Sequence, residues 1–480
     1  MHLYNTHGPH VVEFTPTRRW WVLAALSLAQ FMVILDATVV NVALPMMASQ
    51  LGLARVAMTW VVTAYTLCFG GLMLLGGRLA DTFGRKRLFL AGLTVFTLAS
   101  LGSALATGSE MIISSRAAQG MGAAMLSPAA LSLVMTTFRG RERNTALGVW
   151  AALGGAGAAV GVMLGGLLAS GPGWQWAFYI NVPVGIVAAV AIVALRPNEP
   201  PPVRRRVDWV GAALATGGLA LLIFTFVNAG DIGWGSARTV LGLAAGGVIL
   251  AGFLFIERQQ TSPLVRPEFL GSRYMLTGNA LMLTGSALLV AVFFLGSQYL
   301  QRVLEVTPAT AGLVFLPLAV SIGLGTHVGL NLVQWIGPRF PAVGGFLMAA
   351  GGCALLVLLP ASGSPWGQVL PGLLVAGFGV GAVLVAATTT ALACVDPAES
   401  GTASALMNTQ HELGSSIGVA LFSSLAVASL VGPRGAVADM GGYALAFEAA
   451  AAIAIAAATL GAFIVPSGRP PASSIPISPH

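Results

Sequence analysis

The sequence predicts an all-α polytopic membrane protein, and three observations carry the prediction. Of the 480 residues, 56% are apolar and 8% charged, a balance that no water-soluble domain needs. The apolar residues lie in continuous runs of about 20 or more, the length that crosses a bilayer as a helix. They do not alternate, so the spans are helices and not barrel strands. The 23 Lys and Arg residues crowd into every second connecting segment, as positive-inside topology requires.

Taken in chain order, the runs place fourteen spans at 20–44, 57–77, 88–107, 110–137, 144–169, 176–195, 208–228, 238–256, 274–297, 308–328, 341–360, 366–394, 402–431 and 441–465. An even number puts both termini on one side. Of the basic residues, Arg55, Arg238, Arg302 and Arg434 fall on the opposite side and Arg116 falls within a span, so both termini are expected in the cytoplasm. The net charge of +7 is then topology and not a nucleic-acid footprint, and no basic patch interleaved with aromatics occurs. Residues 1–19 are polar and end in Arg18 and Arg19, and the first span is too long for a signal-peptide core, so no cleaved signal is expected.

Two linkers divide the chain. RPNEPPPVRRR (196–206) follows span 6 and ERQQTSPLVRPEFLGSR (257–273) follows span 8. The expected layout is an N-terminal segment (1–19), a six-helix bundle (20–195), linkers with two inserted helices (196–272), a second six-helix bundle (273–465) and a tail (466–480). An internal repeat supports it. A shift of 257 positions lays Gly120 on Gly377, Gly122 on Gly379, Glu142 on Glu399, Thr145 on Thr402, Gly157 on Gly414 and Gly161 on Gly418. Spans 4–5 thus correspond to spans 12–13, the parallel repeat of secondary transporters, whose sites lie near the midplane between the halves.

Charges inside the spans mark candidate sites. Asp36 stands in the apolar run FMVILDATVVNVALP (31–45), where an ionised carboxylate costs about 3 kcal/mol. Arg116 lies in span 4 and always keeps its proton, so it can tune a proton carrier but cannot be one. Asp36 lies about nine residues, and Arg116 about six, from the outer ends of their spans, which puts both roughly 9–14 Å below the outer surface. A pairing between them, direct or through water, is therefore possible. Glu412 falls near the middle of span 13, beside Gln410 and His411. Metal-ligand clusters, a phosphate loop and a nucleophile motif are missing from the sequence. An enzyme is accordingly the least expected class, no cofactor is expected, and energy has to come from an ion gradient.

Several of these stretches together resemble one family. GGRLADTFGRKR (76–87) resembles the G-x-L-x-D-x-x-G-R-K/R signature of the major facilitator superfamily, over Gly77, Asp81, Gly84, Arg85 and Lys86. The second half has Gln334 where the acid would stand, in GLNLVQWIGPRF (329–340), with Gly337 matching Gly84. Arg116, Gln119 and Gly120 match that superfamily's R-x-x-Q-G. LDATVVNVALP (35–45) resembles the first-span signature of the fourteen-span drug:proton antiporters. WQWAFYINVPVG (174–185) resembles their W-R-W-x-F-x-I-N-x-P-x-G, with Gln175 for the Arg. Gly157, Gly161, Gly165 and Gly166 follow the antiporter pattern G-x-x-x-G-P-x-x-G-G, with Val162 in the Pro position. TASALMNTQHELGSSIG (402–418) resembles a pattern containing N-T-x-Q-Q-x-G, with His411 and Glu412 replacing the two Gln.

The resemblance implies the major facilitator fold: two six-helix bundles plus two inserted helices, as a monomer in the cell membrane. It implies proton-coupled antiport, exporting amphipathic or cationic drugs by alternating access, with a small molecule and H⁺ as partners and the proton motive force in place of a cofactor. Asp36, Arg116 and Glu412 would couple the proton, and Asn41, Gln119, Asn181, Gln410, His411 and Glu412 would line the cavity. Asp81 would latch a gate by docking near the start of a helix in the opposite half, for which the start of span 13 near Thr402 is the candidate. Export of one dedicated metabolite or antibiotic stays open, as does the more distant possibility of a channel or a membrane sensor.

Overall fold

The computed structural model of the chain describes residues 16–53, 55–171, 173–195, 197, 208–260, 271–360, 362–393, 395, 400–426 and 440–468. Among them the regular structure is helical: α1 (Pro16–Leu51), α2 (Arg55–Phe83), α3 (Arg85–Ala104), α4 (Ser109–Thr137), α5 (Gly140–Ser170), the short α6 (Trp176–Tyr179), α7 (Asn181–Leu195), α8 (Trp209–Ile232), α9 (Ala237–Glu257), α10 (Arg273–Gln298), α11 (Pro308–Ile336), α12 (Arg339–Val357), α13 (Leu370–Ala391), α14 (Ser400–Leu425) and α15 (Met440–Ile464). Among the described residues, twelve helices are long and apolar enough to cross a membrane. α5 and α14, at the places of spans 5 and 13, have 31 and 26 residues, enough to cross at about 1.5 Å per residue, but are not among those twelve. α14 carries Asn408, Gln410, His411 and Glu412 in one stretch, which lowers its apolarity.

One element differs from expectation. Span 1 does not stop at Pro45: α1 runs on to Leu51, since a proline removes one backbone bond and neighbouring helices hold the rest of the turn. Span 6 falls where it was expected, as one apolar span over Trp176–Leu195; Ile180, between α6 and α7, keeps helical angles (φ −61°, ψ −27°) and donates to Trp176 O at 3.2 Å.

Packing repeats across the chain. On α4, a Cβ at Gly122 would meet the backbone of α3 at Phe96 N, 2.6 Å away, and Gly92 O, 2.8 Å away; on α13, Gly379 faces Ala349 and Gly345 of α12 in the same way. On α5, Gly157 and Gly161 seat Ile34 and Thr38 of α1, each 2.7 Å from where a Cβ would stand, while on α14 Gly414 and Gly418 seat Leu283 and Ala287 of α10. Small residues thus let backbones touch at matching places in both halves. An arginine at each half's first helix also bonds the carbonyl end of its last: Arg18 to Leu195 O and Arg273 to Ile464 O, each at 3.0 Å. The halves meet where α2 packs on α14 and α5 on α11. α8 lies over the α2–α14 seam and contacts both helices, with Ile223 and Ala220 against Gly70 and Gly71. Trp234, in the α8–α9 turn, donates to Ser424 Oγ at 2.8 Å. α9 is the outermost of the two, with Leu241, Val248 and Phe255 each about two-thirds exposed, as a lipid-facing helix requires.

Candidate functional site

α1, α4 and α7 bring four polar residues together, Asp36, Arg116, Gln119 and Asn181, with the Phe178 ring beside the Arg116 guanidinium. Asp36 has 0% exposure and Arg116 1%, and the Arg116 guanidinium donates to Asp36 Oδ2 at 2.5 Å. The pairing expected from depth is therefore direct. The other carboxylate oxygen, Oδ1, accepts from Gln119 Nε2 at 3.0 Å and from Asn181 Nδ2 at 2.8 Å. Gln119 and Asn181, expected among the cavity residues, are buried at 0% exposure, Gln119 donating to Asp36 and Asn181 to Asp36 and Ser100. Behind them, Ser103 Oγ donates to Gln119 Oε1, and Ser100 Oγ accepts from Asn181 while donating to the Phe178 carbonyl. Arg116 also donates to Val61 O and to Gln119 Oε1. Its guanidinium carbon stands 4.2 Å from the centre of the Tyr65 ring, an attractive cation–π geometry that desolvation strengthens. Both Asp36 oxygens thus face nitrogen donors, the arrangement that suits an ionised carboxylate.

The gate residues form a second cluster. Gly84 sits at φ 98° and separates α2 from α3, and Gly337 repeats this at φ 94° in the second half; a side chain is strained at such angles. Asp81 is buried at 6% exposure. It accepts from Arg85 Nη2 at 3.0 Å, from the backbone N–H of Gly401 at 3.1 Å and Thr402 at 3.0 Å, and from Thr402 Oγ1 at 3.1 Å. It therefore caps the start of α14 from the other half of the molecule, where free N–H groups and the helix dipole favour an anion. Gly77 makes the approach possible: a Cβ there would stand 2.6 Å from Gly401 O. Lys86 is half-buried beside this cluster.

One residue of this face carried no motif. Arg143, at the start of α5, donates to Leu392 O at 2.6 Å, at the carbonyl end of α13, where a cation complements the dipole. An acid from one half and a base from the same half thus hold the two ends of the segment that joins α13 to α14.

Glu412 and His411 are half-buried on α14. His411 Nδ1 shares a hydrogen bond with Ser286 of α10 at 2.6 Å. Glu412 packs at the α2 seam, its Cβ 3.6 Å from where a Cβ on Gly70 would stand, and its carboxylate has no hydrogen bond or ion pair among the described residues. Gln410 is half-buried and Gly165 buried, whereas the side chains of Asn41 and Val162, the surroundings of Gly166, and Glu399 lie outside the described residues. No group of three or more metal-ligating side chains occurs among the described residues.

The family model for the Major Facilitator Superfamily matches residues 26–419. The chain belongs to the major facilitator superfamily. Among curated members it is similar to the puromycin resistance protein of Streptomyces alboniger, 39% identical over 85% of this chain and 82% of that protein. It is also similar to the cephamycin export protein of Amycolatopsis lactamdurans, 38% identical over 82% of each. Its fold is similar to that of the human organic anion transporter MFSD10, with a TM-score of 0.63 and 16% identity, covering 93% of this chain and 100% of that one. This superfamily member is a multi-pass transporter of small molecules and not an enzyme.

Proposed function

We propose that this transporter is a proton-coupled antiporter that exports amphipathic or cationic organic compounds across the cell membrane by alternating access, with both termini in the cytoplasm. The observation that carries the reading is Asp36. A buried ion pair is a weak source of stability, since well-packed apolar side chains serve as well or better. An acid kept in a membrane helix with an arginine and two amides around it therefore points to exchange. Proton loading from outside would neutralise Asp36 and loosen its hold on Arg116. Release to the cytoplasm would restore the pair. The docking of Asp81 on Gly401 and Thr402 supports a reading of this conformation as the one in which the Asp81 face, cytoplasmic on this proposal, is closed. No bound cofactor enters this scheme, because the proton gradient supplies the energy, and one chain suffices as the working unit.

The test is ΔpH-driven efflux from proteoliposomes. Asp36→Asn, inserted normally, is expected to abolish it, and efflux at the wild-type rate would refute the proton-carrier role. A second reading, export of one dedicated antibiotic, is supported by the names of the two curated relatives, each tied to a single compound. A resistance panel in a pump-deficient host, with and without protonophore, separates the readings: resistance confined to one chemical scaffold favours the second.

A further inference from the structure

We propose that Asn181 is a positioning residue whose side-chain amide turns over when Asp36 takes up a proton. The inference rests on the reading that Asp36 carries the exchanged proton. Asn181 is fully buried. Its Nδ2 donates to Asp36 Oδ1 at 2.8 Å and to Ser100 Oγ at 2.9 Å, which uses both amide hydrogens. Its Oδ1 is buried and has no hydrogen-bond partner, an arrangement that is rare enough in folded proteins to call for a reason.

The reason lies in what a protonated Asp36 needs. The acid then carries an O–H and must find an acceptor among its neighbours. Arg116 offers donors alone. Gln119 is pinned: its Oε1 accepts from Arg116 at 3.0 Å and from Ser103 at 3.1 Å, and turning its amide over would set N–H₂ against the guanidinium. Asn181 is free of that constraint. A half turn about its terminal bond brings Oδ1 to the place Nδ2 now holds, where it accepts the Asp36 O–H. The Ser100 hydroxyl, now donating to the Phe178 carbonyl, can swing to the same oxygen. Nδ2 moves to the pocket where Oδ1 now stands unpartnered. One end of the amide is unpartnered in either orientation, so neither state is heavily favoured and the proton decides between them. Asn181 is the first residue of α7, and Ser100 is bonded to Phe178 of α6, so the turn-over changes the hydrogen bonds that Ser100 makes to both helices.

The experiment is pH-jump infrared difference spectroscopy on the full-length protein in lipid vesicles, without drug. Acidification is expected to raise a carboxylic-acid carbonyl band that is lost in Asp36→Asn. A side-chain amide carbonyl band should shift with it. That shift should move in wild-type protein labelled with carbon-13 at the asparagine side-chain carbonyl, and should vanish in Asn181→Leu and in Asp36→Asn. The label interrogates the unmodified protein, so poor folding of Asn181→Leu does not leave the matter open; Asn181→Ser then serves for assignment. An acid band without a label-sensitive amide shift overturns the inference and leaves the role of Asp36 standing. Absence of any acid band sensitive to Asp36→Asn overturns both.

Discussion

Asp81→Asn puts the gate to a quantitative test. Three of the hydrogen bonds to Asp81 cross from one half to the other, at 3.0 to 3.1 Å from Gly401 N, Thr402 N and Thr402 Oγ1. A bond to a charged group contributes about 1.5–3 kcal/mol against about 1 for a neutral one. An asparagine has one acceptor oxygen, so its N–H₂ must confront either Gly401 or Thr402. Arg85 already neutralises part of the Asp81 charge, which reduces the loss. A net weakening of about 2–3 kcal/mol results, shifting the closed-to-open ratio at this face roughly 30- to 150-fold toward open. Spin labels on cysteines replacing Arg87 and Phe340, both exposed on this face and in opposite halves, report the change by pulsed dipolar distance measurement. The short-distance population should fall in Asp81→Asn. A distance distribution indistinguishable from that of the unsubstituted labelled protein, with the variant still folded, would refute the argument that Asp81 holds the halves together.

The remaining predictions concern the other charged groups. Arg143→Gln removes a cation from the end of α13 and should open the same face about fivefold; Arg143→Lys should restore most of the closed population, and equal behaviour of the two variants would count against a charge effect. Arg116→Ala strands Asp36 without its ion-pair partner, a loss of about 3–5 kcal/mol, so thermal unfolding in detergent should shift markedly downward; the double variant Asp36→Asn/Arg116→Gln should recover part of it, and simple additivity would argue against coupling. Glu412→Gln should weaken efflux of cations such as ethidium while sparing neutral substrates; equal effects on both would assign Glu412 a structural role.

Charge was the legible part of this molecule. Asp36 and Arg116 stand out in apolar runs, and because a charge in a membrane helix demands a partner, similar depth along the two spans made their pairing possible, while which helices are neighbours came from the structure alone. The Asp81 latch was legible through the family resemblance of its loop, and the attraction between a carboxylate and a helix start is what permits it. Neutral amides send no such signal. Gln119 and Asn181 read as cavity lining because their distinguishing property, which helix they face, depends on lateral packing that one sequence does not encode locally. Arg143 was hidden among residues that satisfy positive-inside topology, and its bond to a helix-end carbonyl leaves no trace in spacing. The position of α8 over the α2–α14 seam, and the Trp234–Ser424 bond that fastens its turn, likewise follow from packing alone.

That seam links the two sites. Gly70, Gly77 and Asp81 lie on one face of α2, and they meet Glu412, then Gly401 and Ala405, then Gly401 and Thr402 along α14. Glu412 and Thr402 are ten residues apart on the same helix, about 15 Å. At Gly70, Ile223 of α8 lies on the same face as Glu412, 2.5 Å from where a Cβ would stand, so α8 covers the seam there. On the proposed cycle a compound held against the Glu412 carboxylate enters between α2 and α14, and because both helices are stiff over this length, parting them there also draws Asp81 away from the start of α14. On the proposed cycle, substrate arrival and the unlatched gate favour one another by geometry, with no separate relay between them. The Asp36 pair bears on the same movement through Tyr65, which belongs to α2 and packs on the Arg116 guanidinium. In that cycle, protonation of Asp36 removes the ion pair that ties Arg116 to α1 and leaves the guanidinium held by α2, through Val61 O and the Tyr65 ring.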